Sequence, residues 1–310
     1  MQLIRGIHNL SRLNADALVV TIGNFDGVHL GHRSVLAHLK TKADELNLPT
    51  CVVVFEPQPR EFFSADNPPI RINSLRDKLT VLKSLQLDYC LCLRFDQKLA
   101  HFTAQEFIER ILVQGLKVKH ITVGDDFKFG YKRGGDFAFL QQQGLKLGFS
   151  VTNCASVNLD ANRISSTHLR LKLKECDLPA AKEMLGHDFF VTGRVICGQK
   201  LAQMLGFPTA NVSLPKRKIP LNGVFAVRVL IANQSYFGVA NIGTRPTVSD
   251  DVRQHLEVHI LNFADDIYGQ AIKVEFVHKI RCEQKFSDLD TLKKAISSDI
   301  KIAKNYFSNN

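Results

Sequence analysis

Two imidazoles stand three residues apart in Gly23-Asn24-Phe25-Asp26-Gly27-Val28-His29-Leu30-Gly31-His32, directly after the β-rich run Val19-Val20-Thr21-Ile22. Val35, Leu36, Leu39, Ala43 and Leu46 then keep a helical spacing, so the turn joins a strand to a helix. Free backbone N–H groups and the positive end of a helix make such a turn an anion site. His29 and His32 are therefore candidate triphosphate ligands, and Gly23, Gly27 and Gly31 let the backbone approach the ligand closely. The bland alternative is a structural turn with surface histidines; zinc is weaker, because no third ligand lies nearby. Ser165-Ser166-Thr167 precedes the helical residues Leu169, Leu171 and Leu173 and reads as a capping cluster. In Leu256-Glu257-Val258-His259-Ile260-Leu261-Asn262-Phe263, strand periodicity puts Glu257 and His259 on one face. Taken alone, a glutamate on a polar strand face is usually just solvated.

The elements that must position these residues differ between the two halves. Residues 1–186 alternate short β-rich runs with helical periods, which predicts a Rossmann-like α/β domain: a parallel sheet covered by helices. Cys51 to Phe55, Leu91 to Leu93 and Ile121 to Val123 read as further strands. Leu75, Leu79, Leu82 and Leu85 mark a helix, and Thr103 with Glu106 forms a capping box opening a helix that stops at Gly115. From 187 to 310 the chain turns to β-branched runs separated by Gly, Pro and Asn: Val191 to Cys197, Gly223 to Ile231, Phe237 to Ile242, Leu256 to Phe263 and Ile272 to Val277. These predict an antiparallel barrel, closed off by an amphipathic helix with Leu289, Leu292, Ile296, Ile300 and Ala303 on one face and Ser287 as its N-cap.

At 310 residues, 45% hydrophobic and 23% charged, the chain can fill two cores, which excludes both a single small module and wholesale disorder. No apolar run reaches the roughly 18 residues of a membrane span, and no basic leader with a cleavage site opens the chain. The seven cysteines have no CxxC spacing and read as reduced thiols, Cys90 and Cys92 as small core hydrophobes, so a cytoplasmic protein is expected. Forty basic against thirty acidic residues give a net charge of +10, which favours phosphorylated partners. The densest basic cluster, Lys216-Arg217-Lys218, is short and proline-flanked, a solvated loop rather than a nucleic-acid surface; neither nucleic acid nor a membrane is expected as a partner. The sequence assigns no oligomeric state.

The turn with its two histidines resembles the HxGH nucleotidylyltransferases, and its neighbours resemble the bifunctional bacterial riboflavin kinase/FAD synthetases. The likeness extends through Phe55-Glu56-Pro57-Gln58-Pro59-Arg60-Glu61-Phe62-Phe63, Val123-Gly124-Asp125-Asp126-Phe127-Lys128-Phe129-Gly130, Arg163-Ile164-Ser165-Ser166-Thr167 with Arg170, Gly206-Phe207-Pro208-Thr209-Ala210-Asn211, Gly238 to Thr247 and the Glu257 strand, and so covers nearly the whole chain. It implies FMN adenylylation by residues 1–186 and riboflavin phosphorylation by residues 187–310, both with ATP and Mg²⁺, flavins being substrates and products. It further implies ATP contacts at His29, His32, Ser166, Thr167 and Arg170, with Gly23, Asn24, Phe25, Asp26, Asp126 and Arg163 beside them. In the kinase half it implies Thr209 and Asn211 at ATP and Mg²⁺, Asn241 and Arg245 at the flavin and phosphate end, and Glu257 as catalytic base. Leu201-Ala202-Gln203 departs from the basic, glycine-containing turn common in the family, which removes positive charge near the expected ATP loop. Gln58 stands where a histidine is often seen. Competing readings are a nucleotidylyltransferase with another phosphorylated acceptor, a basic nucleic-acid-binding protein, and a flavin-sensing module.

Overall fold

The computed structural model describes residues 1–159, 162–198, 205–214, 218–245 and 253–309, except the side chains of Arg245 and Arg253. The departure at 201–203 and Lys216-Arg217 lie outside the described residues, as do Pro246 and Thr247. Two compact units are present, one of residues 1–69 with 78–165 and one of 70–77 with 166–310.

Strands β1 (Gln2–Arg5), β2 (Leu18–Ile22), β3 (Thr50–Glu56), β4 (Tyr89–Arg94), β5 (Val118–Gly124) and β8 (Ser150–Cys154) build the sheet of the first unit. Two short ribbons accompany it, β6 (Lys128–Phe129) with β7 (Gly135–Asp136) and β9 (Asn158–Leu159) with β10 (Asn162–Arg163). The sheet runs β1-β4-β3-β2-β5-β8 and every pairing is parallel, as the alternating sequence pattern implies. Parallel strands are covered on both faces, which is why β2 reads Leu-Val-Val-Thr-Ile and is buried throughout. Helix α1 (Leu30–Leu46) turns Leu36, Leu39 and Ala43 inward, and α2 (Pro59–Phe63), α3 (Leu75–Ser84), α4 (Gln97–Ala100), α5 (Ala104–Phe107) and α6 (Phe137–Leu147) follow in order. The capping box at Thr103 and Glu106 is formed, and the helix it opens does run to Gly115, but with π-helical turns from Ile108 onward.

The strand order reverses at β2: the chain steps outward through β3 and β4, then crosses back to place β5 on the other side of β2. At such a switch point the connections leave in opposite directions and open a crevice at the carboxyl ends of the strands. The Gly23–His32 turn occupies that end of β2.

The second unit contains α7 (Ser166–Lys174), α8 (Leu178–Leu185) and a closed barrel, in the order β11 (Phe189–Ile196), β12 (Ala210–Val212), β15 (Arg253–Ile260), β14 (Gln234–Arg245), β13 (Gly223–Ile231) and β16 (Ala271–Arg281). All its pairings are antiparallel, as expected. Leu256, Val258 and Ile260 alternate into the interior, where Phe225, Phe189 and Phe276 meet edge-on or tilted at 5.4 and 5.9 Å. Val224, Ala226 and Val239 face outward and are covered by Ala303, Ile300, Tyr306 and Phe307 of the C-terminal helix Leu289–Asn309. Arg281 braces that helix through a two-pronged ion pair to Asp299, both bonds 2.9 Å. The helix cap differs from the expectation by one residue: Asp288, not Ser287, accepts the Thr291 N–H at 2.7 Å, while the Ser287 hydroxyl donates to Asp288. A carboxylate accepts more strongly than a hydroxyl, and it sits immediately before the first helical residue.

Candidate active sites

At the end of β2 the Gly23 N–H bonds the Val53 carbonyl at 3.1 Å, after which Phe25, Gly27 and Val28 all take positive φ, at 46°, 89° and 42°. Two of these are not glycine, and Val28 is β-branched, so the turn is held in a costly conformation by its surroundings. It delivers His29 to the N-cap of α1, where Nδ1 accepts the backbone N–H of His32 at 3.3 Å. An acceptor at Nδ1 places the ring proton on Nε2, the tautomer able to donate to an anion from that nitrogen. The His29 and His32 rings stack at 3.7 Å and 18°, with Phe25 5.1 Å from His32. Gly31 makes this packing feasible: a Cβ there would lie 3.2 Å from the His29 ring and 3.4 Å from the Ile164 carbonyl. Asp26 and His29 are both buried.

Beyond the carboxyl end of β5, Arg163 bridges Asp125 at 2.9 Å and Asp126 at 3.1 Å, and Ser156 donates to Asp125 at 2.6 Å. The structure thus brings Asp126 and Arg163 together. Ser166 and Thr167 open α7 in the second unit, and Arg170 one turn later donates to the Ile70 carbonyl at 2.6 Å. An aromatic group with no role assigned from sequence lies past β3 and β4: Phe95 meets Phe55, Phe62 and Phe63 edge-on at 5.8, 5.4 and 5.7 Å, with Phe63 69% exposed.

In the barrel, register assembles the predicted residues. Asn211 of β12 pairs with Glu257 of β15, which pairs on its other side with Asn241 of β14. Directly paired residues project from the same face, so amide, carboxylate and amide form one row on the outer barrel surface, opposite the buried Leu256 and Val258. A cavity of about 230 Å³ is lined by Thr209 and Asn211 together with Val195, Gly198, Val258, Ile260, Asp265 and Tyr268; of the row it includes Asn211, and its lining contains neither Glu257 nor Asn241. Gly198 lies so close to the Asn211 amide that a side chain there would collide with it. His259, noticed in the sequence but given no role, bonds the Pro208 carbonyl through Nδ1 at 2.8 Å and meets Phe207 edge-on at 5.9 Å. It thereby ties the segment carrying Thr209 to the strand carrying Glu257. Its signal was its place two residues along the same strand face. The backbone of Arg245 lies in β14 opposite Arg253.

Residues 12–168 match the FAD synthetase family model and residues 185–307 the riboflavin kinase model. Over 304 residues the chain is 51% identical to the bifunctional riboflavin kinase/FMN adenylyltransferase of Pseudomonas fluorescens, covering 98% of this chain and 97% of that one. The chain belongs to the bifunctional riboflavin kinase/FMN adenylyltransferase family. Members from Haemophilus influenzae and Escherichia coli K12 are each 49% identical, over 99% of this chain and 100% and 98% of theirs. A crystal structure described as a macrolide-efflux protein from Streptococcus pneumoniae is similar in fold, with a TM-score of 0.84 and 26% identity over 98% of this chain and 99% of that one. Among the described residues no helix is long and apolar enough to cross a membrane. In this riboflavin kinase/FMN adenylyltransferase chain the histidine turn, Asp126, Arg163, Ser166 and Thr167 fall within the FAD synthetase match, Arg170 just beyond it, and Thr209, Asn211, Asn241, Arg245 and Glu257 within the riboflavin kinase match.

Proposed function

We propose that the chain converts riboflavin to FMN in its barrel and FMN to FAD with release of pyrophosphate in its N-terminal part, with the functional division between Gly186 and His187. The observation that carries the kinase reading is the cross-strand register that sets Asn211, Glu257 and Asn241 in one row, with Asn211 and Thr209 also lining a cavity. The riboflavin 5′-hydroxyl loses its proton as it attacks the γ-phosphate of ATP, and Glu257 is the acceptor. Thr209 and Asn211 offer hard oxygens to Mg²⁺; among the described residues no group of three His, Cys, Asp or Glu forms a metal cage, which suits an ion that keeps waters and leans on nucleotide phosphates. Bound there, Mg²⁺ would neutralise charge building on the phosphates. Asn241 and Arg245 hold the flavin and phosphate end.

For adenylyl transfer the attacking group is the FMN phosphate, already ionised at neutral pH, so the protein's work is positioning and charge stabilisation. His29, through Nε2–H, and His32 donate to the ATP phosphates at the α1 N-terminus, with Gly23, Asn24, Phe25 and Asp26 shaping the turn. Ser166, Thr167 and Arg170 are further ATP contacts in this reading, with Asp126 and Arg163 as supports. The rings of Phe62, Phe63 and Phe95 offer an apolar platform suited to the planar flavin.

Chromatography of flavins after incubation with ATP and Mg²⁺ tests both halves. His29→Ala should abolish FAD formation from FMN while riboflavin is still phosphorylated; Glu257→Ala should abolish FMN formation while supplied FMN is still adenylylated. Loss of both activities in either folded variant contradicts separate sites. Wild-type protein that converts neither flavin sinks the proposal.

A further inference from the structure

Lys78 leads the fully buried side chains in size, at 0% exposure. It lies on α3 with Val81 and Leu82 on the same buried face, where helical periodicity calls for an apolar residue. A lysine head group buried this deeply is costly and persists where it has a specific partner. Here Nζ donates at 2.6 Å to the backbone carbonyl of Asn24, the second residue of the histidine turn.

That contact determines more than one hydrogen bond. The Asn24–Phe25 peptide is trans, so its carbonyl and its N–H point to opposite sides of the chain. Drawing the Asn24 carbonyl toward Lys78 therefore turns the Phe25 N–H away from the core. The next torsion, φ 46° at Phe25, is one a phenylalanine avoids unless its surroundings impose it. The Gly23 bond to Val53 fixes the Ile22–Gly23 peptide and the Lys78 bond to Asn24 fixes the Asn24–Phe25 peptide, one on either side of the Gly23–Asn24 peptide.

We propose that Lys78 is a positioning residue of the adenylyltransferase site: through its bond to the Asn24 carbonyl it orients the Asn24–Phe25 peptide so that the Phe25 N–H faces the nucleotide phosphates. This rests on the adenylyl-transfer reading of the histidine turn. Lys78 touches no reacting atom, and its role is binding ATP rather than the chemical step.

The test is steady-state kinetics of FAD formation for Lys78→Met and Lys78→Gln in the full chain, with riboflavin phosphorylation by the same samples as a control for folding. Lys78→Met should raise KM for ATP by about tenfold or more while KM for FMN stays within about twofold. Lys78→Gln, a neutral donor, should fall between Lys78→Met and wild type. An unchanged KM for ATP in Lys78→Met overturns the proposal, as do equal rises for ATP and FMN or a parallel fall of kinase activity in both variants, which mark a merely structural lysine. Wild-type protein that makes no FAD from FMN would instead refute the underlying reading, so the two failures are distinguishable.

Discussion

His29 caps the helix start through one ring nitrogen, and the proposed phosphate donor is the other, so each task constrains the other. Nδ1 can accept the His32 N–H only while it carries no proton, which leaves Nε2 as the donor. Gly31 lets the imidazole lie flat against the chain, so the spacing of the histidines follows from one helical turn with a bare Cα inside it. A different histidine illustrates the opposite environment. His120 of β5 is 1% exposed and bonded through Nδ1 to Ser150 at 2.6 Å, and burial, assisted by the charge of Lys42, pushes its pKa from 6.5 down to about 4. The unfolded chain takes up this proton near pH 6.5 and the folded chain only near 4, so stability falls on acidification across that window and the loss is complete below it. The slope from this group is at most about 1.4 kcal/mol per pH unit. Denaturant unfolding between pH 7 and 4 should show it, and His120→Asn should flatten it; an unchanged slope in the variant contradicts the assignment.

Among the elements, the C-terminal helix gives the sharpest test. Hydrogen bonds from the Thr291 hydroxyl and backbone N–H, and from Ser287, hold the Asp288 carboxyl down to about 2. Its contribution is present above the ordinary value of 3.8 and is lost as pH falls through about 2. Asp288→Ala should lower Tm at neutral pH by more than Ser287→Ala does, and the gap should close in strong acid; equal Tm values at pH 7 would show that the cap is not where the geometry puts it. The sequence allowed either residue, because Ser and Asp are both strong cap formers and only the entry angle of the chain decides between them. Strands were more legible: β2, β3 and the Ile121-Thr122-Val123 part of β5 are apolar, β-branched-rich runs buried on both faces, a pattern few other elements produce. The barrel order was not, because β12 beside β15 and β11 beside β16 are pairings between distant segments that no local periodicity encodes. Of the candidate sites, the histidine turn stood out through residue type and spacing, whereas Glu257, by type an ordinary solvated strand residue, stood out only through the family resemblance. Lys78 did not, since lysine on a helix ordinarily marks the solvent face and only the packed structure reveals that this one points inward.

On the scale of the whole molecule, a net charge of +10 meets substrates that are all anionic on the adenylyl side and include ATP on the kinase side. Such a field raises the local concentration of nucleotide and is screened over about 10 Å at 0.1 M salt. KM for ATP should therefore rise for both activities between about 0.05 and 0.5 M KCl, with kcat changing less; a KM independent of salt would show that local contacts alone govern binding. Barrel closure has a consequence of its own. Each strand is bonded on both sides, so a shift in one cannot be relieved at a free edge. Removing a single residue from β15 would swing Glu257 into the apolar interior and break the row it shares with Asn211 and Asn241. The strand can therefore gain or lose residues only in pairs, a parity rule that should be visible as even-numbered length differences wherever this strand varies.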